Sequence, residues 1–594
     1  MNSQTKALRI GGACAFWGDS ALGISQLVES GEVDVLVFDY LAELTMSLLA
    51  RARSKDPQAG FAADFVSGVA PHLSTIAQRG IKLLSNAGGM NPKACAESLR
   101  EAARRAGVSL NVTFVEGDDL LGGLTEVRGA DVREMFSGKP FPDRVVSMNA
   151  YLGAGPIAAA LRDGADVVIT GRCVDSALAL GALIHHFDWQ MNDYNKLAAG
   201  SLVGHLLECT TQTTGGLFTD WLDVDTDTEI GYPIAVCESN GDFVLTKPQG
   251  TGGRITPAVV TEQMLYEIAD PAAYLLPDVR CDFTGVTVSA DGDNRVRFGG
   301  ARGSAPPDTY KVSATWHDGY RISSTLTIVG DRAVDKAERV AEGILTRTRR
   351  MFAQGGLPDY EDTQVEVLGS ERPSYGENAR GQDSREVVLR LSCRHPSMEA
   401  LNLLAREFAP FGTAGAPGTT GFSGRPKPVP VFRLFSFLWP KSRLPRRLVS
   451  EGGVRELAMP EIPAAAGEER QASVYAPQPL PAGPRRRVAL SKLAVTRSGD
   501  KGDTVNIAVI ARDARFVPAI AHALTPDAVG AWFAHLVKGQ VSRYDVPGVH
   551  AFNFVLRSAL AGGGAASLRN DPLGKTFGQV LLAFELEVPE AWLD

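Results

Sequence analysis

The run ADVVITGRCVDSALALGALIHHF, Ala165 to Phe187, holds the fold in miniature. Its first part, Ala165 to Thr170, is short, apolar and β-branched without alternation, the pattern of a strand buried on both faces. Gly171 breaks it, a polar loop from Arg172 to Ser176 follows, and Ser176 to Trp189 reads as a helix. The same order recurs upstream. Strand-like runs lie at Leu8 to Cys14, Val33 to Asp39, Ile81 to Asn86, Leu110 to Val115 and Val145 to Ala150, with amphipathic stretches such as Pro92 to Ala106 between them. A further helix is expected from Lys196 to Cys209. Apolar strands alternating with helices predict an α/β fold, a doubly wound and mainly parallel sheet covered on both faces.

After Gly231 the texture changes to longer alternating runs, Tyr310 to Trp316 and Arg321 to Val329 among them, then a charged helix from Asp335 to Phe352. Strands around Thr363 to Leu368 and Glu386 to Cys393 and a helix from Ser397 to Phe408 complete a smaller α+β pattern. Met459 to Pro484 has the Pro/Ala composition of a semi-rigid linker. The expected division is therefore residues 1–230 as the doubly wound domain, 231–450 as an α+β domain, 451–486 as linker and 487–594 as a C-terminal α+β domain.

Composition narrows the function classes. With 594 residues, 44% hydrophobic and 22% charged, the chain reads as a multidomain globular protein. The 60 Lys and Arg against 68 Asp and Glu give a net charge of −8, which offers no counterion-release drive toward nucleic acid or anionic lipid. Cys14, Cys95, Cys173, Cys209, Cys237, Cys281 and Cys393 stand singly, in neither a disulfide nor a zinc pattern. Together with the lack of a membrane-length apolar stretch, they point to a cytoplasmic protein without nucleic-acid or membrane partners.

In an open parallel sheet the ligand sits beyond the carboxyl ends of the strands, so polar residues just after each strand weigh most. Asp39 and Glu43 follow the second run, Asn86, Gly88 and Gly89 the third, Asn149 and Tyr151 the fifth, and Arg172 and Asp175 the sixth. Arg172 offers a planar fork for a carboxylate or phosphate, and Asp175 can act as a base or orient Arg172; either Asp175 or Ser176 can instead cap the next helix. The Asn86 to Pro92 turn can bring backbone N–H groups to an anion, or simply supply a tight connection capped by Asn91. His205, Glu208 and Cys209 share one helical face at i, i+3 and i+4, compatible with metal ligation, with a His–Glu acid/base pair or with a polar helix face; no second ligand pair stands nearby, and no metal site is expected. Lys247 with Gly250, Gly252 and Gly253 makes a candidate anion loop, although the lysine precedes the glycines, unlike a P-loop.

These motifs together resemble the acyclic terpene utilisation protein A (AtuA) family: FWGDS (Phe16 to Ser20), DYLAE (Asp39 to Glu43), NAGGMNP (Asn86 to Pro92), NAYLGAGPI (Asn149 to Ile157), TGRCVDSAL (Thr170 to Leu178), AAGSLVGHLLEC (Ala198 to Cys209), TGGLFTDW (Thr214 to Trp221), GYPIA (Gly231 to Ala235) and TKPQGTGG (Thr246 to Gly253). SGDKGD (Ser498 to Asp503) and the Gly562 to Arg569 segment resemble the ferredoxin-like domain that accompanies the family. The resemblance implies catabolism of acyclic, methyl-branched terpenoids such as citronellol and geraniol through acyl-CoA thioesters, by a lyase or hydratase step. The expected ligand is a branched acyl-CoA or related carboxylate, with CoA as part of the substrate and no other cofactor, and a homo-oligomer is left open. Asp175, Glu43, Asp39, His205 and Glu208 are the candidate acid/base groups. Arg172, Asn86, Gly88, Gly89, Asn149, Tyr151, Lys247, Gly252 and Gly253 are the candidate binding groups. The alternative is a non-catalytic assembly or regulatory subunit of a catabolic complex that docks through its C-terminal domain.

Overall fold

A computed structural model describes residues 6–422, 424–458, 475 and 478–593. Strands β1 (Leu8–Cys14), β2 (Val35–Phe38), β3 (Lys82–Ser85), β4 (Val112–Glu116), β5 (Ser147–Ala150) and β6 (Val167–Ile169) fall on the six apolar runs. Five of them form a parallel core in the order β1, β2, β3, β6, β4. Their side chains alternate between two cores. Ile10, Val35, Val37, Leu84 and Val168 pack under helices Gly155–Arg162, Ala177–Phe187 and Tyr194–Glu208, while Leu36, Phe38, Leu83, Val167 and Ile169 face Leu22–Ser30, Ala63–Val69 and Pro92–Arg105. This is the doubly wound arrangement.

Antiparallel strands from much later in the chain widen this sheet. β7 (Ile234–Cys237) pairs with β1, and β8 (Phe243–Thr246) with β7, followed by Val296–Gly299 and Thr287–Ala290. On the far side Arg446–Ser450 pairs with β4 and is itself paired with Gly453–Leu457. Strands from both sides of residue 230 thus share one sheet. Of the expected linker, residues 459–474, 476 and 477 lie outside the described residues.

One strand departs from expectation. β3 and β4 both hydrogen-bond directly to β6, which leaves β5 no place in the parallel core. β5 instead pairs antiparallel with Thr309–Val329, setting Asn149 opposite Ser313. It stays beside the end of β4 through Leu120 N–H to Met148 O and Ala150 N–H to Asp118 O. The two alternating runs after Tyr310 are likewise one strand of 21 residues, bulged between His317 and Tyr320, rather than two. Around it, Asp362–Leu368, Glu386–His395 and Val429–Pro440 build a second sheet, packed by helices Ala333–Gln354 and Met398–Glu407.

The C-terminal domain is a ferredoxin-like α+β module. Its four-stranded antiparallel sheet has Ala494–Lys501, Thr504–Ala511, Ala551–Leu556 and Val541–Val546 in that order. Val505, Ile507, Val509, Phe552, Phe554 and Leu556 form its own core with the helices. The opposite face, including Ala508, Ile510 and Ala551, joins the core of the preceding chain.

Candidate active site

Burial of polar groups after the parallel strands marks the site. Asp39, at the end of β2, accepts from the side-chain amide of Asn86 at the end of β3, while Asn86 Oδ1 accepts from Tyr40 N–H at 2.8 Å. The two loops are locked to each other by this exchange. Gly88 permits the tight turn, since a Cβ there would stand 2.5 Å from the Thr170 carbonyl oxygen beyond β6. Gly89 takes φ +50°, and Asn91 Oδ1 caps helix Pro92–Arg105 by accepting from Ala94 N–H. In this segment the tight, capped connection is the one realised.

The loops after β4, β5 and β6 meet at Asp118. One of its carboxylate oxygens accepts from the Asn149 side-chain amide at 2.9 Å and from Arg172 N–H at 2.8 Å. Only glycine fits at 171, where a Cβ would lie 2.4 Å from Asp118 Oδ1. The Arg172 side chain is buried and gives Nη1 to Asp175 Oδ1 at 2.7 Å and to the Cys173 carbonyl at 2.8 Å. Its Cζ lies 4.2 Å from the centre of the Tyr151 ring, and Lys311 Nζ lies 4.7 Å from the same ring. Asp175 therefore orients Arg172, and neither it nor Ser176 makes a side-chain cap to helix Ala177–Phe187.

Helix Tyr194–Glu208 brings the remaining acid/base groups. It lies close on the sheet at Gly12, where a Cβ would be 2.5 Å from the Leu207 carbonyl oxygen, and on the β6 loop at Gly204, where a Cβ would be 2.5 Å from Ser176 Cα. One turn further, Glu208 feels the charges of Asp175 and Asp39. His205 Nδ1 lies 3.0 Å from Glu208 Oε1, and the ring sits 6.1 Å from that of Tyr274. His205 Nε2 is buried and has no hydrogen-bond partner among the described residues; Asn149 Oδ1 shares that condition.

The electrostatics follow from burial. Asp39 is pushed well above the usual carboxylate range by burial and by the Asp175 charge, against the pull of Arg172 and Asn86. Asp118 is raised to about 7 by burial, despite its two donors. Glu208 is raised by burial against the attraction of His205. Burial draws His205 down, but the Glu208 charge and hydrogen bond outweigh it and leave the imidazole above its ordinary value. Buried carboxyls shifted toward their protonated form, an imidazole with a carboxylate behind it and a fixed guanidinium together suit proton transfer beside a carbonyl or carboxylate.

Not every expected residue joins this cluster. Lys247 lies at the end of β8, in a cavity of about 480 Å3 that it shares with Arg9, Glu32, Asp293 and Arg295, and which none of the strand-end acids lines. Its ammonium donates to the Thr251 carbonyl. The N–H groups of Gly252 and Gly253 go to the carbonyls of Glu229 and Asp225, so that loop is consumed by its own packing rather than open to an anion. Glu43 opens helix Glu43–Lys55, and its side chain lies outside the described groups. Lys311 and Tyr274 enter the site without having been singled out, and Asp118, one of the polar residues after the fourth run with Glu116 and Asp119, enters it without having been chosen as a candidate. Asp118 follows a strand like the others; Lys311 and Tyr274 come from pairings that no local pattern announces.

Two family models match the chain. The model described as acyclic terpene utilisation family protein AtuA matches residues 8–450, three quarters of the chain. The chain belongs to this family. A second model, the AtuA ferredoxin-like domain, matches residues 488–587, the C-terminal module. Membership ties the chain to acyclic terpene utilisation, and the AtuA match takes in all the parallel strands and every residue of the cluster described above. No curated protein matches the chain. Among the described residues no helix is long and apolar enough to cross a membrane.

Proposed function

We propose that the chain is a catabolic enzyme acting on a branched acyl-CoA or related carboxylate, by a lyase or hydratase step. The observation that carries the reading is the buried His205, with Glu208 behind Nδ1 and Nε2 left without a partner among the described residues. In its neutral form Nε2 takes a proton from the carbon beside the substrate carbonyl. A protonated carboxyl, Asp39 or Asp118, gives a proton to the departing β-hydroxyl, which leaves as water; the reverse is hydration. Arg172, fixed by Asp175 and Tyr151, stabilises the negative charge that develops on the carbonyl oxygen or holds a carboxylate. CoA enters as part of the substrate, and no further cofactor is called on. The alternative of a non-catalytic subunit docking through its C-terminal domain is weakened, because one face of that sheet packs on its own chain and the other under its own helices.

The test is to incubate the pure protein with a panel of methyl-branched acyl-CoA esters and follow their masses. Gain or loss of one water on a panel member, cut by roughly 10²–10⁴-fold in His205→Gln, is the expected result. No mass change across saturated, unsaturated and hydroxylated members, or full turnover by His205→Gln, removes the reading.

A further inference from the structure

We infer that the C-terminal domain reaches the candidate active site across the turn at Glu267, and that Lys501 is a positioning residue acting on the His205 and Glu208 pair both directly and by holding Glu267. The inference rests on the catalytic reading above for its meaning, but on separate contacts for its support.

Those contacts converge on a turn, Leu265 to Ala269, just after helix Pro257–Met264. Val260, Met264 and Leu265 share one core with Leu206 and Leu207 of helix Tyr194–Glu208, so the turn is seated against the end of the catalytic helix. The C-terminal domain then grips the turn from outside. Asn506 Oδ1 accepts from Glu267 N–H at 2.9 Å and its amide donates to the Leu265 carbonyl at 2.8 Å. Asn553 donates to the carbonyls of Ile268 and Ala269 at 2.8 and 2.7 Å, and the two asparagines bond each other at 2.9 Å. Gly499 of SGDKGD allows the approach, since a Cβ there would meet the Tyr266 ring at 2.5 Å. Within this grip Glu267 holds φ +59°, a left-handed conformation that a non-glycine residue keeps only where its surroundings impose it.

The side chain of Glu267 is then held by two lysines of the other domain. Lys501, in the hairpin of SGDKGD, pairs with Oε2, and Lys575 Nζ lies 3.1 Å from Oε1 and 3.1 Å from Asp500 while bonding Tyr266. Burial would raise Glu267, but Lys501 and Lys575 overcome it and bring the carboxyl to about 2. The groups acting on His205 are Glu208 from its own helix, Glu267 from the turn and Lys501 from the C-terminal hairpin, with Tyr274 packed beside the ring. Asp175, from the β6 loop, and Asp39, from the β2 end, act on Glu208. Lys501 opposes protonation of His205, and Glu267 favours it. Removing Lys501 removes the first and leaves the second less compensated; both changes push the imidazole upward.

The full chain labelled with ¹³C-histidine tests this without any substrate. It has nine histidines, and the His205 signal is the one lost in His205→Gln. Lys501→Met is expected to move the His205 titration midpoint upward and Lys501→Arg to restore it, with thermal melting close to wild type because Lys501 is half exposed. Lys501→Gln serves as the second neutral variant should Lys501→Met fold poorly. An unmoved midpoint in a folded neutral variant overturns the inference and leaves the catalytic reading standing. Full turnover by His205→Gln, with the midpoint still shifted by Lys501→Met, sinks the catalytic reading and leaves the coupling.

Discussion

Asp118 is the residue on which three loops depend, and its charge has a calculable price in pH. Its carboxyl is raised to about 7 in the fold against about 3.8 when exposed. Between those values the folded chain holds a proton that the unfolded chain has released, so this group's contribution to stability falls as pH rises through the window and levels off above about 7. Asp118→Asn removes the titration. Melting temperatures recorded from pH 4 to 8 are expected to decline less steeply in the variant than in the wild type, and an unchanged slope contradicts the assignment. Asp118 also shows what could be read in advance at this scale. Asp39, Asn86, Asn149, Arg172 and Asp175 were legible because each follows a strand-like run, and the geometry of strand ends brings such residues together. Asp118 follows a strand too, yet its weight comes from a bond to Arg172 N–H, 54 residues away, and from a glycine at 171 that makes room for it. Neither is written in the local pattern.

At the scale of elements, helix Tyr194–Glu208 owes its position to glycines rather than to a capping residue. Gly204→Ala illustrates the balance. Alanine favours a helix over glycine by roughly 1 kcal/mol, but the added Cβ would stand 2.5 Å from Ser176 Cα and carbonyl oxygen, and backbone cannot yield as a side chain tip does. A net loss of about 1–3 kcal/mol is expected in denaturant melts, together with displacement of the neighbouring His205 from the β6 loop; a stabilised variant contradicts the close approach. The helix itself was legible in the sequence, as were β1 to β4 and β6 from their apolar runs. The strand at β5 was legible too, but not its sheet, because the partner that claims it begins at Thr309 and a run of apolar residues does not say which distant edge it will meet. That mistaken membership hid Lys311, which β5 pairing sets beside Tyr151. Lys247 stands apart for a related reason: β7 and β8 join the sheet antiparallel, so the end of β8 does not open where the parallel strands end.

Across the whole molecule the two matched regions behave as one body where Asn506 and Asn553 meet the turn at Glu267. Asn553 is fully buried, and Asn553→Leu leaves the Ile268 and Ala269 carbonyls without their donor. A loss of about 1–3 kcal/mol is expected for each abandoned group, seen as an early separate melting step and faster amide exchange at residues 265–269. A single transition at the wild-type temperature contradicts the clamp. The sequence announced both modules through their motifs but not this joint, since two asparagines in alternating strands look like ordinary polar positions. The widened sheet carries one more consequence, which concerns time. The outer edge of β4 is covered by Arg446–Ser450, about 330 residues further along. A ribosome adding roughly 5–20 residues per second takes some tens of seconds over that distance. Throughout that interval the growing nascent chain carries an open, apolar strand edge, the kind that recruits other chains. Early termination anywhere before Arg446 makes that edge permanent.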